Sequence, residues 1–291
     1  MTTTARGDRV WFITGASRGL GRAFAEAALG AGDRVAIAAR DADALREVAA
    51  PHAGRVLDLP LDVTDRDAVN AAMDRAVDHF GRLDVVVNNA GTLSMGAVEE
   101  FTEDEARHQM EVNFFGALWV SQAAVRRLRM RGEGHIVQVS SIGALAGYAS
   151  CGMYSASKFA LEGMSEALAM EAASFGVRVS IVQPGGYWTE LYDRMRTAPP
   201  LEAYAPMRAE LERQWSGPEA ESVDSEPHLA AEAVLRLVDS DDPPSRLLLG
   251  SMVYDLAFDV SRKRMDTWAR WEQVSRAAEH AVPAPGGAAH S

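Results

Sequence analysis

Four polar side chains in the middle of the sequence have the types and spacing for proton transfer to an alcohol/carbonyl pair: Asn113, Ser141, Tyr154 and Lys158. Tyr154 and Lys158 are four apart in Tyr-Ser-Ala-Ser-Lys, so a helix there sets both on one face, one turn apart. A lysine ammonium beside a phenol favours the phenolate and is expected to draw the tyrosine pKa down from about 10 towards working pH. Tyr154 would then be a usable proton donor or acceptor. Ser141 follows an apolar run upstream of this pair and is expected to donate a hydrogen bond to the same substrate oxygen.

These residues need a scaffold, and the pattern predicts one. Apolar, β-rich runs alternate with helical patterns: strands at 10–14, 34–39, 55–59, 85–88, 135–140 and 177–183, helices at 20–30, 42–50, 66–80, 103–130 and 154–175. Continuously apolar strands separated by helices indicate a parallel sheet covered on both faces. The right-handed crossover rule makes it a doubly wound α/β sheet. Regularity stops after Pro184. Residues 185–227 mix Pro, Gly and charge, too long for an ordinary connection, and are read as a functional lid. A helix (229–238), a strand (246–249) and an amphipathic helix (255–280) follow, and the Gly/Ala/Pro ending is read as a disordered tail. The expected layout is one Rossmann-type domain: core 8–189 and 228–250, lid 190–227, helical extension 251–282, tail 283–291.

The first strand runs straight into Thr14-Gly15-Ala16-Ser17-Arg18-Gly19-Leu20-Gly21 and then a helix. Glycines permit a tight turn and close approach to a pyrophosphate, and the helix N-terminus supplies N–H groups and positive partial charge. A glycine turn without a ligand is the plainer alternative. An NAD site usually ends the second strand with an acid on the ribose. Here that strand ends Ala38-Ala39-Arg40. Arg40, with Arg18 from the loop, suits a 2′-phosphate, so the expected cofactor is NADP(H). Asp41 is the rival acid, but the Ala-Asp-Ala-Leu behind it reads as a helix cap.

Together these motifs resemble the short-chain dehydrogenase/reductase family, in its compact branch. The likeness spans about 10–189 and rests on TGASRGLG at 14–21, Leu61-Asp62-Val63, Asn88-Asn89-Ala90-Gly91, Asn113, Ser141, Tyr154-x-x-x-Lys158 and Pro184-Gly185-x-x-x-Thr189. The resemblance implies that Asp62 and Val63 hold the adenine, and that Asn89, Ala90 and Gly91 pack beside the adenosine. It implies a water on Asn113 linking Lys158 to solvent, and Lys158 on the nicotinamide ribose. Pro184, Gly185 and Thr189 would fix the nicotinamide. Asp62 also reads, on its own, as a helix cap.

Leu145, Tyr148 and Met153 flank the catalytic segment, and Trp188, Tyr192 and Met195 open the lid, with Tyr204 and Met207 behind. This set is expected to line an apolar pocket for a lipophilic ketone or alcohol, or else to pack the lid onto the body. An alcohol oxidation, an isomerase or dehydratase on the same scaffold, and a non-catalytic dinucleotide sensor are the competing readings. A net charge of −12 without a basic run argues against nucleic acid or an anionic membrane as partner. The arginines at 126, 127, 129 and 131, before Gly132, read as a helix C-terminus. One cysteine, Cys151, excludes an intrachain disulfide. No signal-peptide pattern and no spanning apolar stretch are found, so a cytoplasmic protein is expected. The resemblance implies a homodimer or homotetramer, and Trp268, Trp271 and Val274 are candidates for a pocket cover or subunit contact.

Overall fold

Seven of the nine strands among the described residues are short and mostly apolar, and all but the two outermost, β3 and β9, are largely buried: β1 (Val10–Thr14), β2 (Arg34–Ala39), β3 (Val56–Pro60), β4 (Val85–Asn88), β6 (Gly134–Val139), β7 (Val177–Pro184) and β9 (Arg246–Leu249). They form one all-parallel sheet in the order β3-β2-β1-β4-β6-β7-β9. Between the first six strands run α1 (Gly19–Gly30), α2 (Ala42–Ala49), α3 (Arg66–Phe80), α4 (Glu103–Met110), α5 (Ala117–Arg131) and α6 (Gly152–Ala173), and α8 (Pro227–Asp239) precedes β9. This computed structural model describes residues 8–192, 194–216 and 224–279. The expected tail at 283–291 and part of the expected lid lie outside the described residues.

Strand alternation divides the core. Trp11 and Ile13 of β1 face a cluster with Phe24 and Leu29 of α1, Leu45 of α2 and Val234 and Leu237 of α8. Val10 and Phe12 face the opposite cluster, with Met73 and Phe80 of α3, Val120 and Leu128 of α5 and Ala172 of α6. A doubly wound sheet results, and its strand order reverses between β1 and β4. There the carboxyl ends of the strands open a crevice.

Three features depart from the sequence reading. The expected helix 103–130 is interrupted: Glu111–Gly116 is a π-helical segment between α4 and α5, and Asn113 lies within it. A π segment carries one residue more per turn and re-aims its side chains. Two short strands, β5 (Ser94–Met95) and β8 (Arg196–Thr197), pair in parallel apart from the main sheet. They carry the chain after β7 back across the site as a strap, ahead of α7 (Ala205–Ser216). The terminal helix is two, α9 (Ser251–Arg270) and α10 (Glu272–Ala277), broken at Trp271. Gly132 caps α5 at φ 80°, as the basic C-terminus anticipated. Among the described residues no helix is long and apolar enough to cross a membrane.

Candidate active site

Thr14, at the end of β1, pins the two sides of the crevice together. Its Oγ1 donates to Val87 O (3.3 Å) and accepts from the backbone N–H groups of Asn89 and Ala90 (both 3.0 Å). Asn89 Nδ2 donates back to Thr14 O (3.0 Å) and Gly15 O (3.2 Å), which fixes the glycine loop against β4. Gly15 has a φ of 65°, and a Cβ on Gly21 would strike Gly15 O and Asn89 Nδ2. Only glycine fits there. Ser17 is buried in the loop, and Leu20 packs on the core below.

Asp41, Asp65 and Thr102 cap α2, α3 and α4 with side-chain bonds. Helix α1 differs: no side chain caps it at Arg18, and its first turn holds no acid. Its positive end faces the crevice among glycines, and this fits the pyrophosphate of a dinucleotide. At the far end of the loop, burial pulls the Arg18 guanidinium pKa down, as do the charges of Arg194 and Arg40, while Glu190 and Asp41 oppose them. Three guanidinium groups thus share one field beyond β2. Arg194 was not foreseen, because nothing in the sequence says that the strap returns to this corner. Asp41 is occupied as a cap, accepting from Ala44 N (3.1 Å).

Asp62 does not cap α3; Asp65 does. Asp62 Oδ1 instead accepts from the backbone and hydroxyl of Thr64 (3.0 and 2.8 Å). Burial opposes its ionisation, but those bonds and the charge of Arg40 outweigh it and lower its pKa. Val63 lies against Gly116 at the end of the π segment. Gly91 borders both Asn113 Oδ1 and Lys158 Nζ.

Around Tyr154 the structure brings the four polar residues together. Lys158 is buried and its Nζ donates to Val139 O (2.9 Å), 5.9 Å from the centre of the Tyr154 ring. Ser141 Oγ accepts from Gly143 N (3.0 Å) and is hydrogen-bonded to the Tyr154 hydroxyl. A Cβ on Gly143 would lie 2.9 Å from the Tyr154 ring. Asn113 accepts from Thr92 N (2.8 Å) and donates to Thr92 O and Ser157 Oγ (both 3.0 Å). Ser157 in turn donates to Tyr154 O (2.7 Å). The π segment is therefore bonded to the first turns of α6.

One expectation is overturned. Tyr154 is not drawn down: burial pushes its pKa up to about 12, against the lowering effect of the Ser141 bond. Lys158 is itself depressed to about 8 by burial, with Glu162 opposing. Burial penalises both charged forms, and the ammonium is aimed at Val139 O rather than at the phenol. The resulting pair is a neutral phenol, able to donate a proton, beside a lysine charged at neutral pH.

Glu162 is a residue the sequence reading missed. It lies one turn beyond Lys158, almost fully buried, and ties four elements together. Its Oε1 accepts from Ser140 Oγ (2.5 Å) and Gln183 Nε2 (2.8 Å), and its Oε2 from Arg246 (2.6 Å). These partners adjoin Ser141, Pro184 and β9. The i, i+4, i+8 spacing of Tyr154, Lys158 and Glu162 was the available signal.

On the substrate side, Tyr192 lies near enough for the two phenols to oppose each other's ionisation. Tyr148 is half-buried, and its hydroxyl has no hydrogen-bond partner among the described residues. Leu145 and Met153 are half-buried beside it, as is Met195 on the strap. Trp188 and Tyr192 are exposed (62% and 51%). Tyr204 is directed away, donating to Glu99 (2.6 Å), and Met207 is half-buried on α7. Thr189 rests on the glycine loop, 3.1 Å from where a Cβ on Gly19 would stand. Pro184 ends β7 and pairs with Leu249; Gly185 packs against Val253.

A model of the short chain dehydrogenase family matches residues 9–199. The chain belongs to the short-chain dehydrogenase/reductase family. Oxidoreductase BOA17 of Botryotinia fuckeliana is 38% identical over 274 residues, 92% of this chain and 98% of that one. A 3-ketodihydrosphingosine reductase of Bacteroides thetaiotaomicron is 39% identical over 185 residues, 64% of this chain and 66% of that one. Among solved structures, a short-chain dehydrogenase from Streptomyces avermitilis superposes with a TM-score of 0.84 at 37% identity, covering 93% of this chain and 100% of that one. Another, from Burkholderia cenocepacia in complex with NADP, gives 0.72 at 30% identity, with 91% and 98% covered. A 3-ketoacyl-(acyl-carrier-protein) reductase from Brucella melitensis, complexed with NADH, gives 0.70 at 26% identity, with 83% and 96% covered. This dehydrogenase/reductase is thus an oxidoreductase of a fold that holds a nicotinamide dinucleotide.

Proposed function

We propose that the protein is an NADPH-dependent oxidoreductase that reduces a ketone on a lipophilic substrate, polyketide-, steroid- or aromatic-like, to a secondary alcohol. The observation that carries this reading is the Tyr154 phenol, half-buried, hydrogen-bonded to Ser141 and 5.9 Å by its ring centre from the buried Lys158 ammonium, on the same sheet edge as the uncapped N-terminus of α1. Bound NADPH would supply a hydride to the carbonyl carbon. Gly15, Ser17, Gly19, Leu20 and Gly21 would receive its pyrophosphate, Arg18 and Arg40 its 2′-phosphate, and Asp62 and Val63 its adenine. Asn89, Ala90 and Gly91 would wall the adenosine, and Pro184, Gly185 and Thr189 would border the nicotinamide. Ser141 holds the substrate oxygen, and Tyr154 gives that oxygen its proton. Lys158 offsets the charge left on the phenol, and Asn113 anchors the route by which the proton is resupplied.

The lipophilic substrate is supported by Leu145, Tyr148 and Met153, which flank the catalytic segment in sequence, by Tyr192, whose side chain acts on Tyr154, and by a relative named as a 3-ketodihydrosphingosine reductase. NADP(H) is supported by the guanidinium groups beyond β2 and by the engagement of Asp41 as a cap. The NADH bound in one related structure favours a second reading with NAD(H). The deciding experiment follows cofactor absorbance with NADPH and NADH over a panel of lipophilic ketones, and with NADP+ and NAD+ over the matching alcohols. Turnover with NADPH that Arg40→Asp shifts towards NADH supports the proposal. Equal use of both cofactors before and after the substitution refutes the cofactor assignment, and cofactor binding without turnover in either direction refutes the reaction.

A further inference from the structure

The strap after β7 is fixed at its ends and unpinned in its middle. At its start Trp188 N donates to Ser225 O (3.0 Å), and at its end Arg196 N and Ala198 N donate to Leu93 O and Met95 O (3.0 and 2.9 Å). Between these points, among the described residues, its hydrogen bonds run within itself, from Leu191 N to Thr189 Oγ1 (3.4 Å) and from Met195 N to Tyr192 O (3.2 Å). The middle sets out from the glycine loop, where Thr189 rests on Gly19, and the end pairs with β5 beyond β4. The span therefore crosses the crevice between β1 and β4. Glu190 Oε2 stands 3.9 Å from where a Cβ on Gly19 would be, a carboxylate at the positive end of α1. Arg194 follows on the same span, exposed.

The charges at this corner are not balanced. Arg22 on α1 and Arg46 on α2 are paired with Glu26 and Asp43 of their own helices, and Arg208 beyond the strap is paired with Glu100. Arg18, Arg40 and Arg194 have no ion-pair partner among the described residues. Asp41 is engaged as a cap. The charge of Arg194 acts on Arg18 more strongly than the opposing charge of Glu190, so the strap arginine stands beside the loop arginine. Like charges gathered in this way repel, and an anion of charge about −2, a phosphate monoester, offsets the repulsion. NADP(H) carries one on its ribose and NAD(H) carries none. We propose that Arg194 is a third contact to the 2′-phosphate, supplied by the strap, so that the strap is held over the crevice with NADP(H) and not with NAD(H). The inference rests on the cofactor reading above and extends it. Glu190, at the positive end of α1, opposes the pyrophosphate that both cofactors carry, and only the 2′-phosphate supplies the strap with an opposite charge. Cofactor choice then also shapes the substrate side, because Trp188, Tyr192 and Met195 ride on the same span.

The test titrates the full chain with NADPH and with NADH, reading cofactor fluorescence for affinity and chymotrypsin cleavage after Trp188 and Tyr192 for the strap. In wild type, saturating NADPH is expected to slow cleavage at these two positions several-fold, and saturating NADH to leave it near the rate of the free protein. Arg194→Ala is expected to weaken NADPH about tenfold, to leave NADH affinity unchanged and to raise cleavage under NADPH to the NADH rate. Arg194→Lys, which keeps the charge, is expected to recover part of both losses. Circular dichroism should not change, because Arg194 is exposed. Arg40→Asp separates this proposal from the reading it rests on. If Arg40→Asp removes an NADPH preference that Arg194→Ala leaves intact, the strap contact is overturned and the cofactor assignment stands. If wild type binds both cofactors alike and Arg40→Asp changes nothing, both are overturned. Equal protection of the strap by NADPH and NADH in wild type would also overturn the strap contact.

Discussion

The two sides of the crevice are built by different means. On the sheet side, Asn113, Ser141, Lys158 and Glu162 are buried, and each is bonded to an element that the parallel sheet already fixes. On the far side, the chain after β7 crosses back through the two-residue strand β8 and leaves Trp188 and Tyr192 half exposed or more. The contrast assigns different tolerances. A change on the buried side disturbs packing and proton transfer together. A change on the strap alters what is admitted and costs the fold little.

The comparison can be broken at several points. The largest effect is expected from Tyr154→Phe, which removes the hydroxyl bonded to Ser141 while keeping the ring. Turnover should fall about 10²–10⁴-fold with NADPH affinity retained; near wild-type turnover would remove Tyr154 from the chemistry. Next comes Glu162→Gln. Burial holds Lys158 down at about 8 and Glu162 acts upward. Losing the carboxylate should lower the lysine pKa further. Activity that depends on the ammonium declines in wild type as pH rises through about 8, and in the variant this decline should begin at lower pH, by about one unit. A uniform loss at every pH, with the limb unmoved, would make Glu162 a purely structural tie. On the strap, Trp188→Ala and Tyr192→Ala should raise KM for a bulky ketone several-fold, about 1 kcal/mol, and leave the melting temperature nearly unchanged. A drop in Tm typical of a core truncation would erase the distinction between the two sides.

The smallest effect on rate is expected at His135, on the buried side but at the amino end of β6. It is bonded to Ser180 (3.0 Å), and burial holds its pKa down to about 3. The unfolded chain, with an ordinary histidine near 6.5, binds the proton first as pH falls. Stability from this group is therefore full above about 6.5 and is lost as pH drops towards 3. His135→Gln should flatten that acid loss in thermal melts without altering turnover at neutral pH.

Much of this was legible in the residues. Arg34–Ala39, Arg66–Phe80 and Val85–Asn88 fall where the apolar runs and caps place them, because buried parallel strands and capped helices carry their signals locally. The π segment was not legible. Glu103–Met130 has an unbroken helical pattern, and the extra residue at Asn113 is held by bonds to Thr92 and Ser157, which only the fold brings near. The pKa of Tyr154 failed for a related reason: spacing reports a neighbour, but not how far burial outweighs it. The cap alternative for Asp62 fails because either carboxylate of Asp-Val-Thr-Asp could precede the helix, and only geometry shows that Asp65 meets the free N–H groups. Glu162 and Arg194 escaped because their partners come from distant segments.

The ion pair between Glu162 and Arg246 also bears on how the protein is made. Residue 246 lies on β9, the last strand of the sheet to leave the ribosome. A nascent chain that has already assembled β1 to β7 holds the Glu162 carboxylate beside Lys158 without its arginine. Arrival of Arg246 closes the sheet and answers that charge in one event. A chain cut short before β9 would carry every motif of the active site yet leave the buried Glu162 carboxylate without its arginine.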